Sequence, residues 1–226
     1  MFKSIQNKIK ETYNRHEEYL TDHYPKNYFN YHIDIGARGV NHPWHINNIA
    51  EANPNTICVG YEPDLPYCEE LKKHAERLHN LTMSSCGFSS QKSIQIPDGN
   101  AETVTLKDII FENNIDIDSR WAIKFDCEGC EYCLIKEESN IDILKKASHI
   151  ALEFHITEKA EKGSNFFTRR YDLPSSFDCG EIWMNNNFKD THSIFLTCKV
   201  DGLRTYVLIS QQVMNEKDNL FWRNLL

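Results

Sequence analysis

The residues best suited to chemistry are acids at the carboxyl ends of short apolar runs. Asp34 lies in Ile33-Asp34-Ile35-Gly36-Ala37-Arg38-Gly39, an apolar stretch that ends in a glycine turn. Glu62 follows TICVGY and precedes Pro63-Asp64. Asp126, Glu128 and Glu131 crowd into IKFDCEGCE, and Glu153 and His155 close ALEFH. A carboxylate at a strand end can accept hydrogen bonds from both hydroxyls of a ribose, and glycine lets a ligand approach the backbone. An imidazole beside carboxylates can move a proton near neutral pH. Taken singly, each feature also suits a plain connection: a glycine after a strand is more often a turn, and an acid before proline often begins one. Their order along the chain gives them weight. Neither GxGxxG nor a GxxxxGK(S/T) loop occurs, which favours a nucleoside cofactor without a pyrophosphate.

For these acids to meet, the apolar runs must lie side by side. HIDIG leads to a helix near 43–52, TICVGYEP to a helix near 65–79, and LTMSS to a polar, hairpin-like SIQIPDG. A helix near 105–113 precedes WAIKFD; a helix after EGCEY and another around IDILKK precede HIALEFH. Strands separated by helices predict a mostly parallel sheet covered on both faces. Beyond His155 the polar, aromatic stretch 157–190 lacks clean periodicity and reads as loop-rich. SIFLTCKV and RTYVLIS then form an antiparallel hairpin, and a closing helix falls in QVMNEKDNLFWRNLL. Phe2, Ile5, Ile9 and Tyr13 give residues 2–20 an amphipathic helical pattern, which packs on the domain, caps a pocket or makes a homodimer contact. One domain over 1–226 is the economical reading, with a helical extension over 1–30.

Composition narrows the class. At 226 residues with 40% hydrophobic and 26% charged, the chain can bury a core and is not disordered. A net charge of -8 argues against a nucleic-acid partner, whose phosphates would call for many Lys and Arg contacts. No apolar run approaches the roughly 20 residues of a membrane span, and MFKSIQNKIKETYN lacks a signal-peptide core. A cytoplasmic location is expected. Eight cysteines are then metal ligands, reactive thiols or small buried hydrophobes rather than a disulfide framework.

IKFDCEGCE followed by LEFH, with DIGARG and YEPD ahead of them in order, resembles the FkbM-type family of S-adenosylmethionine-dependent O-methyltransferases. The resemblance covers roughly residues 31–155. Arg38-Gly39 and Lys107 depart from the family's usual residues. The resemblance implies a Rossmann-like class I methyltransferase fold: a mostly parallel seven-stranded sheet with a terminal antiparallel hairpin. It implies S-adenosyl-L-methionine contacts at Asp34, Gly36, Ala37, Arg38, Glu62, Pro63, Gly87 and Asp126. It also puts Cys127 and Cys130 where the family accepts small apolar residues, so these, with Cys58, Cys179 and Cys198, read as packing thiols. CxxCxxC without a distant fourth ligand is a poor zinc pattern.

An alcohol acceptor must lose its proton, and His155 is the first choice of base, with Glu153 two residues earlier on the same strand face to orient it. Asp126 and Glu128 share a face and touch cofactor or acceptor. A divalent cation held between them is the less favoured alternative, and no metal is assigned. Trp44, His45, Glu131, Arg169, Arg170 and Tyr171 are candidates for binding a small-molecule or glycan acceptor; the bland alternative for the aromatic and cationic members is a surface segment packed on itself. The expected activity is O-methylation of a sugar, glycan precursor or related small metabolite. The rivals are a nicotinamide-dependent oxidoreductase, disfavoured by the missing GxGxxG, and a non-catalytic binding protein on the same fold.

Overall fold

Trp121–Phe125 (WAIKF) is buried at every position, the pattern of a strand covered on both faces in a parallel sheet. The computed structural model describes residues 24–37, 46–89, 102–127, 129–155, 177–200 and 203–216. Within them the strands are β1 Tyr31–Ile35, β2 Ile57–Tyr61, β3 Leu81–Ser84, β4 Gly87–Phe88, β5 Thr103–Val104, β6 Trp121–Phe125, β7 His149–His155, β8 His192–Val200 and β9 Leu203–Ser210. The helices are α1 Ile46–Ala52, α2 Leu65–Ala75, α3 Leu106–Glu112, α4 Cys133–Lys136, α5 Ser139–Leu144, α6 Phe177–Phe188 and α7 Gln211–Asn215.

Seven strands form one sheet in the order β3-β2-β1-β6-β7-β9-β8, and β4 with β5 forms a separate parallel pair. β1, β2, β3, β6 and β7 run parallel; β9 is antiparallel to both β7 and β8. This is the expected Rossmann-like architecture with its terminal hairpin. The chain builds outward from β1 through β2 to β3, then returns to β6 on the other side of β1. A crevice opens at such a reversal, beyond the carboxyl ends of β1 and β6, and ligands bind there in open α/β sheets.

Local chemistry fixes the helices. Thr105 caps α3 in a reciprocal box: its hydroxyl accepts from Asp108 N–H, and the Asp108 carboxylate accepts from Thr105 N–H. α2 begins at Leu65 with proline in its first turn, where a missing N–H costs nothing.

The loop-rich expectation for 157–190 fails over its last part, which holds α6. Gly180, Trp183, Met184 and Phe188 are buried at helical spacing. A Cβ at Gly180 would lie 3.0 Å from the Phe154 ring, so glycine lets the helix approach β7. The other residues of that stretch, the 2–20 helix, the SIQIPDG hairpin and the end of the closing helix lie outside the described residues. Among the described residues no helix is long and apolar enough to cross a membrane.

Three histidines at the amino ends of strands are buried: His32, His149 and His192. Burial pushes His32 and His149 down to about 3, the Lys124 charge adding at His32 and the other two histidines at His149. Burial lowers His192 too, partly opposed by its hydrogen bond to Ala147 O. The unfolded chain takes up protons at these sites below about 6.5, and the fold does not. Their neutral burial is therefore compatible with full stability above that pH and costs stability progressively as pH falls toward 3. For His32 and His149 together the loss is roughly 2–3 kcal/mol per pH unit. Thermal melts should show a steep drop in midpoint between about pH 6.5 and about pH 5; a flat profile would contradict this reading.

Candidate functional site

The carboxyl ends of β1, β2 and β6 are stitched together by their backbones. Gly36 and Ala37 both donate to Tyr61 O, Asp126 N–H donates to Ile35 O, and Glu62 N–H donates to Ser84 O. Gly36 has φ +84°, and a Cβ there would collide with the Asp126 carbonyl oxygen. Glycine is needed for β1 and β6 to turn away so closely. The amides of Gly36 and Ala37 are thus engaged by the chain itself, and what these two residues offer a ligand is close approach. Gly87 likewise donates its N–H to Glu102 O in the small β4/β5 pair.

Three of the expected acids line this edge. Asp34 is buried, and Lys124 bridges it to Asp126, with Nζ 3.5 Å from Asp34 Oδ1 and 3.3 Å from Asp126 Oδ2. A buried ammonium between two carboxylates is compensated where a lone one would not be. Glu62 is 4% exposed, and its Oε1 accepts from Asp64 N–H at 2.8 Å, which sets the carboxylate at the end of β2 beside Pro63.

Next to them His155 is surrounded by acids from three elements. Its Nδ1 is 3.0 Å from Glu131 Oε1; its Nε2 is 3.4 Å from Glu153 Oε1 and 3.8 Å from Asp126 Oδ1. Glu131 Oε1 also accepts the His155 backbone N–H at 2.9 Å, and Tyr132 OH donates to His155 O. Burial alone would lower the imidazole pKa, but hydrogen bonds to Glu131 and Glu153 and the charges of Glu131 and Asp126 prevail and raise it to about 11. A base at His155 calls for a free imidazole that titrates near neutrality. Here both ring nitrogens face carboxylates, which favour the imidazolium over the free base.

Glu131, expected at the acceptor, is fully buried. Its Oε2 accepts Gly129 N–H at 2.9 Å while Oε1 holds His155, so it positions the histidine from beneath. The signal was Gly129: at φ +117° it starts the 3-10 turn Cys130–Tyr132 and folds Glu131 inward. The same turn joins Cys127 to Cys130 in a disulfide with Cα atoms 5.4 Å apart, correcting the expectation of two packing thiols. Cys58 is a buried thiol and Cys179 a partly buried one. The expected site residues Arg38, Trp44, His45, Glu128, Arg169, Arg170 and Tyr171 lie outside the described residues.

The chain matches no family model and no curated protein. Its fold is similar to a solved structure named as an rRNA methylase from Clostridium thermocellum, at 10% identity and TM-score 0.48, covering 86% of this chain and 94% of that one. A methyltransferase structure from Thermobifida fusca is similar at 9% identity and TM-score 0.44, covering 92% and 80%. A precorrin-6y C5,15-methyltransferase from Geobacter metallireducens is similar at 11% identity and TM-score 0.41, covering 91% and 86%. These likenesses concern the sheet architecture; the chemistry of this chain rests on its own residues.

Proposed function

We propose that this chain is an S-adenosylmethionine-dependent O-methyltransferase acting on a hydroxyl of a sugar, glycan precursor or related small metabolite. The observation that carries the reading is the meeting, at the sheet's reversal, of the Gly36 turn, the Glu62 carboxylate and the cluster around Asp126. The donor chemistry fits the cofactor: Glu62 would hold the ribose hydroxyls, and an edge rich in carboxylates suits a sulfonium. When bound, S-adenosylmethionine supplies a methyl group on a positively charged sulfur that departs neutral.

The protein's task is then alignment and proton removal. Oriented binding of two reactants can supply roughly 7–11 kcal/mol. Both nitrogens of His155 are turned toward acids, so the proton acceptor is one of the two partly exposed carboxylates, Glu153 or Asp126. Glu153 Oε2 accepts from Thr205 Oγ1 at 3.3 Å, and Asp126 Oδ2 is held by Lys124. Each carboxylate is anchored through one oxygen, and its other oxygen lies toward His155. The hydroxyl acceptor follows from the family resemblance of the IKFDCEGCE and LEFH blocks.

The test is an assay of S-adenosylhomocysteine release with a panel of hydroxyl-bearing sugars and glycan precursors. Acceptor-dependent release is expected, with the rate in Glu153→Gln or Asp126→Asn lowered by about 10²–10⁴-fold according to which carboxylate takes the proton. No release with any acceptor, or full activity in both variants, would count against the proposal.

A further inference from the structure

We propose that Asp126, Glu153 and His155 form a divalent-cation site at the carboxyl edge of the sheet. Its catalytic use rests on the O-methylation reading above; its existence does not. The sequence places these three at the same sheet edge; the fold adds that ligand atoms of Asp126, just after β6, and of Glu153 and His155, at the end of β7, face one another.

One ligand atom from each of the three residues lies within 4.8 Å of the others. The 3.4 Å from Nε2 to Glu153 Oε1 is the spacing of neighbouring ligands around a tetrahedral ion with bonds of about 2.1 Å, and the 3.8 Å to Asp126 Oδ1 is wider, so the partly exposed Asp126 carboxylate would move inward on binding. Each ligand is held from behind by a group outside the trio. Fully buried Glu131 faces Nδ1, Lys124 holds Asp126 Oδ2, and Thr205 holds Glu153 Oε2. A carboxylate on the far nitrogen of a histidine is the usual way to fix the ring of a metal ligand. The three ligands are partly exposed, with side chains 22%, 13% and 20% accessible, while Glu131 behind them is at 0%. The trio therefore opens to one side, where an ion could enter and keep positions for water or substrate oxygens.

A mixed imidazole and carboxylate set suits manganese, iron or zinc better than magnesium or calcium. On binding, the Nε2 proton leaves to solvent and the nitrogen lone pair passes to the ion. Without the ion, Glu153 or Asp126 takes the acceptor's proton directly; with it bound, the same oxygens would hold the ion, and an acceptor hydroxyl on the ion would give up its proton to solvent more readily, which gives the site a role in O-methylation. The neighbouring group of Cys127, Cys130 and Glu131 is a poorer site, because its two sulfurs are bonded to each other and both oxygens of Glu131 are engaged.

The experiment is a Mn²⁺ titration of the full chain, freed of metal with a chelator, followed by electron paramagnetic resonance. A single bound equivalent is expected, with affinity weakened at least about tenfold in Asp126→Asn and in Glu153→Gln, while circular dichroism shows both variants folded. No bound Mn²⁺ at millimolar concentration, or unchanged affinity in the folded double variant, would overturn the site. A parallel titration with S-adenosylmethionine in chelator separates the two claims. Mn²⁺ binding without cofactor binding leaves the cation site standing and removes the methyltransferase reading; cofactor binding without Mn²⁺ does the reverse.

Discussion

Turnover in a Glu131→Gln variant should fall roughly 100-fold, with little change in cofactor affinity. Glu131 is buried, accepts Gly129 N–H on one oxygen, and accepts His155 N–H and faces Nδ1 on the other. Glutamine keeps the shape but must turn its amide nitrogen toward one of those donors. A buried donor left facing a donor costs about 1–3 kcal/mol. Among the described residues the side chain reaches His155 and the turn, so Glu131 is a positioning residue and its loss should appear in kcat more than in KM. A second readout is the His155 ring itself, followed by NMR in chelator: its pKa should move down from about 11 toward the ordinary 6.5. The ion pairs around this ring stabilise the fold fully below about pH 6.5, and that contribution is lost as pH rises through about 11; Glu131→Gln should shrink it. Unchanged turnover together with an unchanged ring titration would contradict this role.

The second large effect is on folding. Gly36→Ala should destabilise the protein by on the order of 3–5 kcal/mol, combining the left-handed backbone penalty with a steric clash. At φ +84° an alanine Cβ would run into the Asp126 carbonyl oxygen. Backbone atoms sit on both sides of the clash, so relief requires β1 and β6 to separate. Those two strands flank the crevice, and the change should also weaken cofactor binding. A thermal midpoint lowered by roughly 10 °C is expected; a midpoint within about 1 °C of the parent would show that the turn is not built this way.

Most of the sheet was legible because its strands are short apolar runs ended by acids and glycines, as in HIDIG and WAIKFD. Helix α6 was not. Its buried face combines Gly180, Trp183, Met184 and Phe188, and the glycine makes sense only beside Phe154 of β7, which is distant in sequence. The acids of the site were legible one by one from their strand ends. Their division of labour was not, because Glu131 is buried by a turn that depends on Gly129, and the charge on His155 depends on carboxylates from β6, that turn and β7. The Cys127–Cys130 bond is hidden in the sequence for the same reason: spacing alone does not reveal a glycine with positive φ between two cysteines.

The central claim is that this sheet edge binds a sulfonium nucleoside through Glu62. Calorimetric titration of the full chain with S-adenosylmethionine and S-adenosylhomocysteine tests it most directly. The account predicts one-site binding of both compounds, weakened roughly 10–100-fold in Glu62→Ala through loss of charged hydrogen bonds to the ribose. Absence of binding by either compound, or undiminished affinity in Glu62→Ala, would contradict it.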